Sequence, residues 1–168
     1  ISPMDYVRSN LTGQISLLEA IRSVRSVKRL IYASSSSVYS GVQAIPFSEE
    51  LPLGTPKSLY AATKIADEVF CDTYSAMLEV EMIGLRFFTV YGPWGRPDMA
   101  YWIFCKSILE GKKIKLFNHG EVQRDFTYID DVIAAITHMI KEVGTDSSKF
   151  RRHRVYNIGN HSPEPVGE

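Results

Sequence analysis

Two side chains four residues apart, Tyr60 and Lys64, could move a proton. In Tyr60-Ala61-Ala62-Thr63-Lys64 the spacing puts both on one face of a helix. An ammonium beside a phenol favours the phenolate, so this Tyr should titrate nearer neutrality and serve as a general base. The chain has nine tyrosines, so such a pair also arises by chance. On its own it reads equally as a surface Tyr beside a solvated Lys. A second candidate is Ser34-Ser35-Ser36-Ser37, which follows the apolar run Leu30-Ile31-Tyr32-Ala33. Hydroxyls at a strand's carboxyl end can bond a substrate oxygen and share its proton; they can also simply cap the strand. A third is Gly92-Pro93-Trp94-Gly95-Arg96-Pro97, where a stiff loop presents a planar guanidinium suited to a carboxylate or phosphate. The plainer reading there is a surface Arg lying over Trp94. In Arg124-Asp125-Phe126-Thr127-Tyr128-Ile129-Asp130-Asp131, Arg124 could take a phosphate or pair with Asp125 or Asp131. The four histidines are scattered, and His138 and His161 lack metal-ligand company, so no metal is expected.

The elements that must position these groups alternate. The spacing of Leu11, Ile15, Leu18 and Ile21 predicts a helix from Met4 to about Val24. The run at Leu30 predicts a buried strand. Residues 40–58 carry Gly41, Pro46, Pro52, Gly54 and Pro56, the chemistry of a long functional loop. Leu59, Ala62, Ala66, Val69, Phe70 and Thr73 predict a second helix to about Met77, and Val80 to Phe88 a second buried strand. A helix from about Met99 to Leu109 should stop at Gly111. Short strands are expected at Ile114 to Phe117 and Val155 to Ile158, with a helix between them from Asp130 to about Val143. The order predicts an α/β fold with a largely parallel sheet, whose ligands bind beyond the strands' carboxyl ends.

Composition narrows the field. The 168 residues are 45% hydrophobic and 23% charged, enough for a packed core and unlike a disordered chain. Nineteen basic residues balance 19 acidic ones, which gives no electrostatic case for nucleic acid or an anionic membrane. No apolar run approaches the roughly 20 residues of a membrane span. Cys71 and Cys105 lie far apart and outside any metal spacing, which fits a reducing, cytoplasmic setting.

A strand ending in serines, a long loop and then Tyr-x-x-x-Lys on a helix resembles the extended short-chain dehydrogenase/reductase superfamily, in particular its nucleotide-sugar epimerases and dehydratases. Four segments carry the likeness: Asn10-Leu11-Thr12-Gly13 with Leu17-Leu18-Glu19-Ala20, then Tyr32 to Tyr39, Ser58 to Lys64, and Leu85 to Met99. Arg124 to Asp131 and Tyr156-Asn157-Ile158-Gly159-Asn160 extend it. The stretch Arg86 to Met99 looks like the branch that epimerises UDP-glucuronate at C4.

The resemblance implies an incomplete Rossmann-like doubly wound sheet over residues 1–98, and a mainly substrate-binding region over 99–168 with segments returning to the core. It implies NAD as cofactor and a UDP-sugar as substrate. Tyr60 would be the base, Lys64 would tune it and hold the nicotinamide ribose, and Ser35 would bridge Tyr60 to the 4-hydroxyl. Ala33, Ser34 and Phe87 would line the cofactor with Tyr60 and Lys64. Asn10 would sit at the edge of the active site. Arg124 would bind the diphosphate, Thr89 would face the sugar, and Arg96, Ser36 and Ser37 would grip the glucuronate carboxylate. Fixing that group matters because a 4-keto uronic acid is a β-keto acid, which loses carbon dioxide when the bond aligns with the carbonyl. Dehydratases and decarboxylases of this family place an acidic residue just before the Val-Tyr that is here Val38-Tyr39. Ser36 and Ser37 stand there instead, which favours epimerisation. The alternatives are UDP-glucose 4-epimerisation, 4,6-dehydration, UDP-glucuronate decarboxylation, or a non-catalytic, self-associating remnant.

Two departures stand out. Ser40 precedes Gly41 where the family has Gly directly after Val-Tyr, and no Gly-x-x-Gly-x-x-Gly turn occurs. The expectation is a piece lacking the first βαβ unit, so that the strand at Leu30 has no neighbour on one side and NAD binding is weak. The helices at 4–24 and 59–77 are those the family uses to dimerise, and a homodimer through them is expected.

Overall fold

The computed structural model describes residues 2–114, 116, 120–141 and 152–166. By internal contacts the chain divides into two compact units. The first comprises Ile1–Phe87 and Lys141–Asn157, the second Phe88–Ile140 and Ile158–Glu168.

The first unit opens with one continuous helical run: α1 (Pro3–Tyr6), a π-helical stretch (Val7–Thr12) and α2 (Gly13–Ser23). Strand β1 (Arg29–Ser35) passes into a 3₁₀ turn (Ser36–Tyr39). Helix α3 (Leu59–Leu78) starts where the Ser58 hydroxyl accepts from the Ala61 N–H at 3.1 Å. It ends at Glu79, which adopts the left-handed conformation. Strand β2 (Glu81–Phe87) runs parallel to β1, with Arg29 opposite Glu81 and Ser35 opposite Phe87. Strand β5 (His153–Ile158) completes the order β1-β2-β5. Among the described residues β1 is therefore an edge strand, as expected for the strand at Leu30.

The core of this unit joins Leu18 and Ile21 of α2, Tyr32 of β1, Cys71 of α3, Val80 and Met82. Gly84 is needed by its neighbour. Tyr32 lies opposite it and crosses over it to reach β5, where its hydroxyl meets His153 Nε2 at 2.7 Å. A Cβ on Gly84 would stand 2.6 Å from the Tyr32 oxygen, closer than packed atoms allow.

Helix α3 departs from expectation in its orientation. Its buried residues are Ala61, Thr63, Asp67, Glu68, Cys71 and Ser75. Leu59 and Val69, part of the predicted stripe, are exposed, as is Met77. Periodicity finds an apolar face, but the inward face here is largely polar: Glu68 meets Ser34 and Arg86 from the strands, and Asp67 meets Lys64.

The second unit holds β3 (Thr89–Tyr91), α4 (Ala100–Leu109), β4 (Gln123–Tyr128), α5 (Ile129–Lys141) and β6 (Pro163–Pro165). Strand β4 lies between β3, to which it is parallel, and β6, to which it is antiparallel. Helix α4 stops as predicted before Gly111, whose φ of +65° suits glycine. Asp130 and Asp131 lie in the first turn of α5, where negative charge suits the helix end. The strand expected at Ile114 to Phe117 includes residues outside the described set. Strand β4 was not predicted: Arg124 and Asp125 hide its pattern.

At the start of the first sheet, Glu81 is bonded by both Arg29 and Arg154. Burial alone would raise its carboxyl, but the two guanidinium groups outweigh that and hold it below the usual range. A lowered carboxylate contributes stability that is fully present above the unfolded value of about 4.3 and is lost as pH falls through the folded one. Urea midpoints measured from pH 7 to 3 should therefore fall more steeply below about pH 4.3 for the native chain than for Glu81→Gln. Parallel curves would show that the arginines contribute nothing through this charge.

Candidate active site

The sequence puts Tyr60 and Lys64 in the first turns of α3, directly after the Ser58 cap. Tyr60 is 36% exposed, and its ring lies 5.9 Å from that of Tyr6. Lys64 is drawn inward. Its ammonium donates to the Ala33 carbonyl at 3.2 Å and to Asp67 Oδ2 at 3.1 Å. The first contact ties α3 to the carboxyl end of β1, where Ala33 is exposed. Two of the three ammonium donors are spent this way, and the third suits a ligand hydroxyl.

The π-helical stretch carries Asn10, half-buried, whose amide donates to Thr63 Oγ1 at 2.8 Å. Thr63 in turn donates to the Tyr60 carbonyl at 2.8 Å. Asn10 thus braces the backbone that carries Tyr60. π turns inside α-helices recur at functional sites, and this one brings Asn10 against α3.

The four serines have different partners. Ser34 is buried, and its hydroxyl donates to Glu68 Oε1 at 2.5 Å. Ser35 receives both the Ser37 N–H at 3.2 Å and the Ser37 hydroxyl at 3.0 Å. Ser35 is thus the cap of the 3₁₀ turn, the plainer reading of this run, and Ser35, Ser36 and Ser37 are all half-buried at the same strand end as Ala33. Phe87 ends the neighbouring strand, opposite Ser35, and is also half-buried.

Behind these groups lies a network that spacing alone does not reveal. Arg86, 4% exposed, forks onto Glu68 with bonds of 2.9 and 2.8 Å. It also donates to the Tyr39 hydroxyl at 2.6 Å, and Tyr39 donates to Asn157 Oδ1 at 2.8 Å. Burial works against the Arg86 charge, but Glu68 more than restores it, so the guanidinium is held more firmly protonated than usual. The sequence signal was a charged Arg86 within the run Met82 to Phe88, whose other residues are uncharged.

Asp67, one residue before Glu68, is also inside, at 1% exposed. Burial pushes its carboxyl up, and Lys64 pulls it partly back.

Thr89, Arg96 and Arg124 belong to the second unit. Thr89 is half-buried and lies opposite Phe126 in the β3–β4 pair. Arg96 forks onto Asp98 with bonds of 3.0 and 2.9 Å, both groups well exposed. Trp94 stands fully in solvent with φ of +64°, so Arg96 does not lie over it as a shield. The Asp98 carboxyl is held below its usual range, first by the hydrogen bond from Arg96. Arg124 is exposed and donates to the Gln123 carbonyl at 2.9 Å. Its neighbour Asp125 is occupied by the Asn160 N–H at 2.7 Å and by Thr127 at 3.1 Å. Among the described residues no cluster of three His, Cys, Asp or Glu could hold a metal, and no helix is long and apolar enough to cross a membrane.

The chain is similar in sequence and fold to known proteins. UDP-glucuronate 4-epimerase 4 of Arabidopsis thaliana is 49% identical over 176 residues, covering 99% of this chain and 40% of that protein. Protein CapI of Staphylococcus aureus is 44% identical over 173 residues, covering 96% of this chain and 52% of that protein. The chain thus spans about two fifths to one half of the curated relatives it matches. Among solved structures, UDP-glucuronic acid 4-epimerase from Bacillus cereus in complex with NAD superposes with a TM-score of 0.85 at 36% identity. That match covers 98% of this chain and 51% of the other. Residues 1–159 match the NAD dependent epimerase/dehydratase family as a whole, and the chain belongs to that family.

Proposed function

We propose that the protein carrying this chain is an NAD-dependent 4-epimerase of a UDP-sugar, and that it converts UDP-glucuronate to UDP-galacturonate. One observation carries the reaction: Tyr60 stands accessible on the first turn of α3 while Lys64, one turn on, is clamped to the carboxyl end of β1. This supplies a phenol, an ammonium and strand-end hydroxyls in one unit.

The residues present fit a dinucleotide's nicotinamide end. Ala33 is exposed at that strand end, and the ammonium beside it has a donor left for a ribose hydroxyl. When bound, NAD supplies the acceptor for the C4 hydride and returns it. The chain's own residues handle the proton. Tyr60 takes it from the 4-hydroxyl as C4–H breaks and the C4 carbonyl forms, and gives it back when hydride returns to the opposite face. Lys64 holds positive charge near the phenolate, and Ser35 relays the hydrogen bond. Asn10 keeps Tyr60 in place through Thr63.

The substrate assignment is supported by Arg96. Its fork already binds a carboxylate, that of Asp98, and an exposed pair of this kind is readily exchanged for a ligand's carboxylate. Ser36 and Ser37 supply hydroxyls for the same purpose, and Arg124 a cation for diphosphate. Relatives named for UDP-glucuronate point the same way. A homodimer through the helices at 4–24 and 59–77 is supported by Met4, Leu17 and Val24 on the first run, and by Leu59, Val69 and Met77 on α3, all exposed and apolar. We place the protein in the cytoplasm, without nucleic acid or membrane as partner, which the balance of 19 basic and 19 acidic residues and the free Cys71 and Cys105 support.

The test is incubation of the full-length protein with UDP-glucuronate and NAD, followed by chromatography of the nucleotide sugars. Formation of UDP-galacturonate is expected. UDP-pentose with carbon dioxide would make it a decarboxylase, and turnover of UDP-glucose alone would overturn the carboxylate assignment.

A further inference from the structure

Asp67 is a costly residue. It is almost wholly buried, and its Oδ1 finds no hydrogen-bond donor among the described residues. A buried carboxylate with an unsatisfied oxygen costs stability, and its retention calls for a reason. Its other oxygen has one partner, the Lys64 ammonium at 3.1 Å.

The charges facing this pair are few. On α3, Glu68 is bonded to Arg86 through both oxygens, and its negative charge still adds to the burial that pushes Asp67 up. Cys71, one turn on, is pushed up to about 12 by burial and stays a neutral thiol. Tyr32 on β1 is pushed higher still by burial and stays neutral. Against Tyr60 lies the ring of Tyr6 from α1. On α3 the ion pair beside Tyr60 is Lys64 with Asp67, and the helical run packed against α3 brings two further charged residues, Asp5 and Arg8.

We propose that Asp67 is a positioning residue for the Tyr60–Lys64 pair: it fixes the ammonium against the Ala33 carbonyl and tempers the positive field reaching Tyr60. This rests on the reading of Tyr60 as the base. The field must be strong enough to release the phenol proton, yet weak enough for the phenolate to take a proton back in the reverse step. A general base works best when its proton affinity lies near the operating pH. An uncompensated ammonium in a partly buried site would favour the phenolate too far.

The test is Asp67→Asn in the full-length protein. An amide oxygen still accepts from Lys64, so the geometry is kept and only the charge is removed. The acid limb of the kcat/KM profile should move to lower pH by roughly half a unit. The midpoint of the Tyr60 signal in a 13C-tyrosine NMR titration should move down with it, the signal being assigned by its loss in Tyr60→Phe. A merely structural role would change Tm and leave both midpoints alone. If Asp67→Asn does not fold, Asp67→Ser removes the same charge and must show the same two shifts. Unmoved midpoints, or movement to higher pH, overturn the inference. The Tyr60→Phe variant separates the failures. If it is inactive while Asp67→Asn keeps the native midpoints, only this inference falls. If it stays active, the reading of Tyr60 as base falls and takes this inference with it.

Discussion

Tyr60→Phe in the full-length protein should lower kcat for UDP-glucuronate roughly a hundred- to ten-thousand-fold, the range a positioned general base contributes. The change deletes one oxygen. What the structure shows Tyr60 doing for the fold survives it: the carbonyl that receives Thr63 is backbone, and the ring facing Tyr6 remains. Since the side chain is 36% exposed, little buried packing is lost and Tm should stay within a degree or two. KM should change little, because the lost interaction belongs to the transition state. A variant that keeps most of its turnover would remove Tyr60 from the chemistry and leave the pair as the solvated surface Tyr and Lys of the plainer reading. A variant that loses turnover together with Tm would instead assign the phenol to stability.

The spacing of Tyr60 and Lys64 was legible because a helix converts a four-residue interval into a shared face. The Gly111 stop of α4 was legible for a similar reason: such a stop is local chemistry, written in the residue that makes it. The strand that ends in serines was legible from one apolar run. What escaped is non-local or competes with periodicity. Asp67 and Glu68 sit on a face that an apolar count places outside. They are inside because Lys64 and Arg86 meet them there. Tyr39 and Asn157, 118 residues apart, share a hydrogen bond that no window of sequence contains. The π turn under Asn10 leaves the apolar stripe of α2 intact, with Leu18 and Ile21 still buried, so periodicity had nothing to register. The apolar stripe of α3, for its part, was read correctly as a stripe. Its members Leu59 and Val69 are exposed while Phe70 packs against the core, a split that a count of apolar residues cannot show.

Arg86→Met should destabilise the protein by roughly 3–5 kcal/mol, and Glu68→Gln by a comparable amount, because each leaves the other's charge buried without its partner. Both side chains are about 95% buried, and the fork between them is the centre from which the network spreads. Ser34 at the end of β1 donates to Glu68, Tyr39 of the 3₁₀ turn receives Arg86, and Asn157 of β5 receives Tyr39. The pair thus joins α3, β2 and the strand end that carries Ala33 and Ser35. A network of this kind is non-additive, so the double variant Glu68→Gln/Arg86→Met should cost clearly less than the sum of the two. Urea unfolding of the three variants measures this directly. Single losses below about 1 kcal/mol would mean that water reaches the pair and that the network does not hold the site. The expected coupling has a functional side as well. Lys64 grips β1 at Ala33, and Glu68, one turn further along α3, grips it at Ser34, so the helix is fastened to the strand end at two successive residues. Removing the second fastening should loosen the first. Residual activity of Glu68→Gln should therefore fall further than its loss of stability explains when the assay is run well below the variant's Tm.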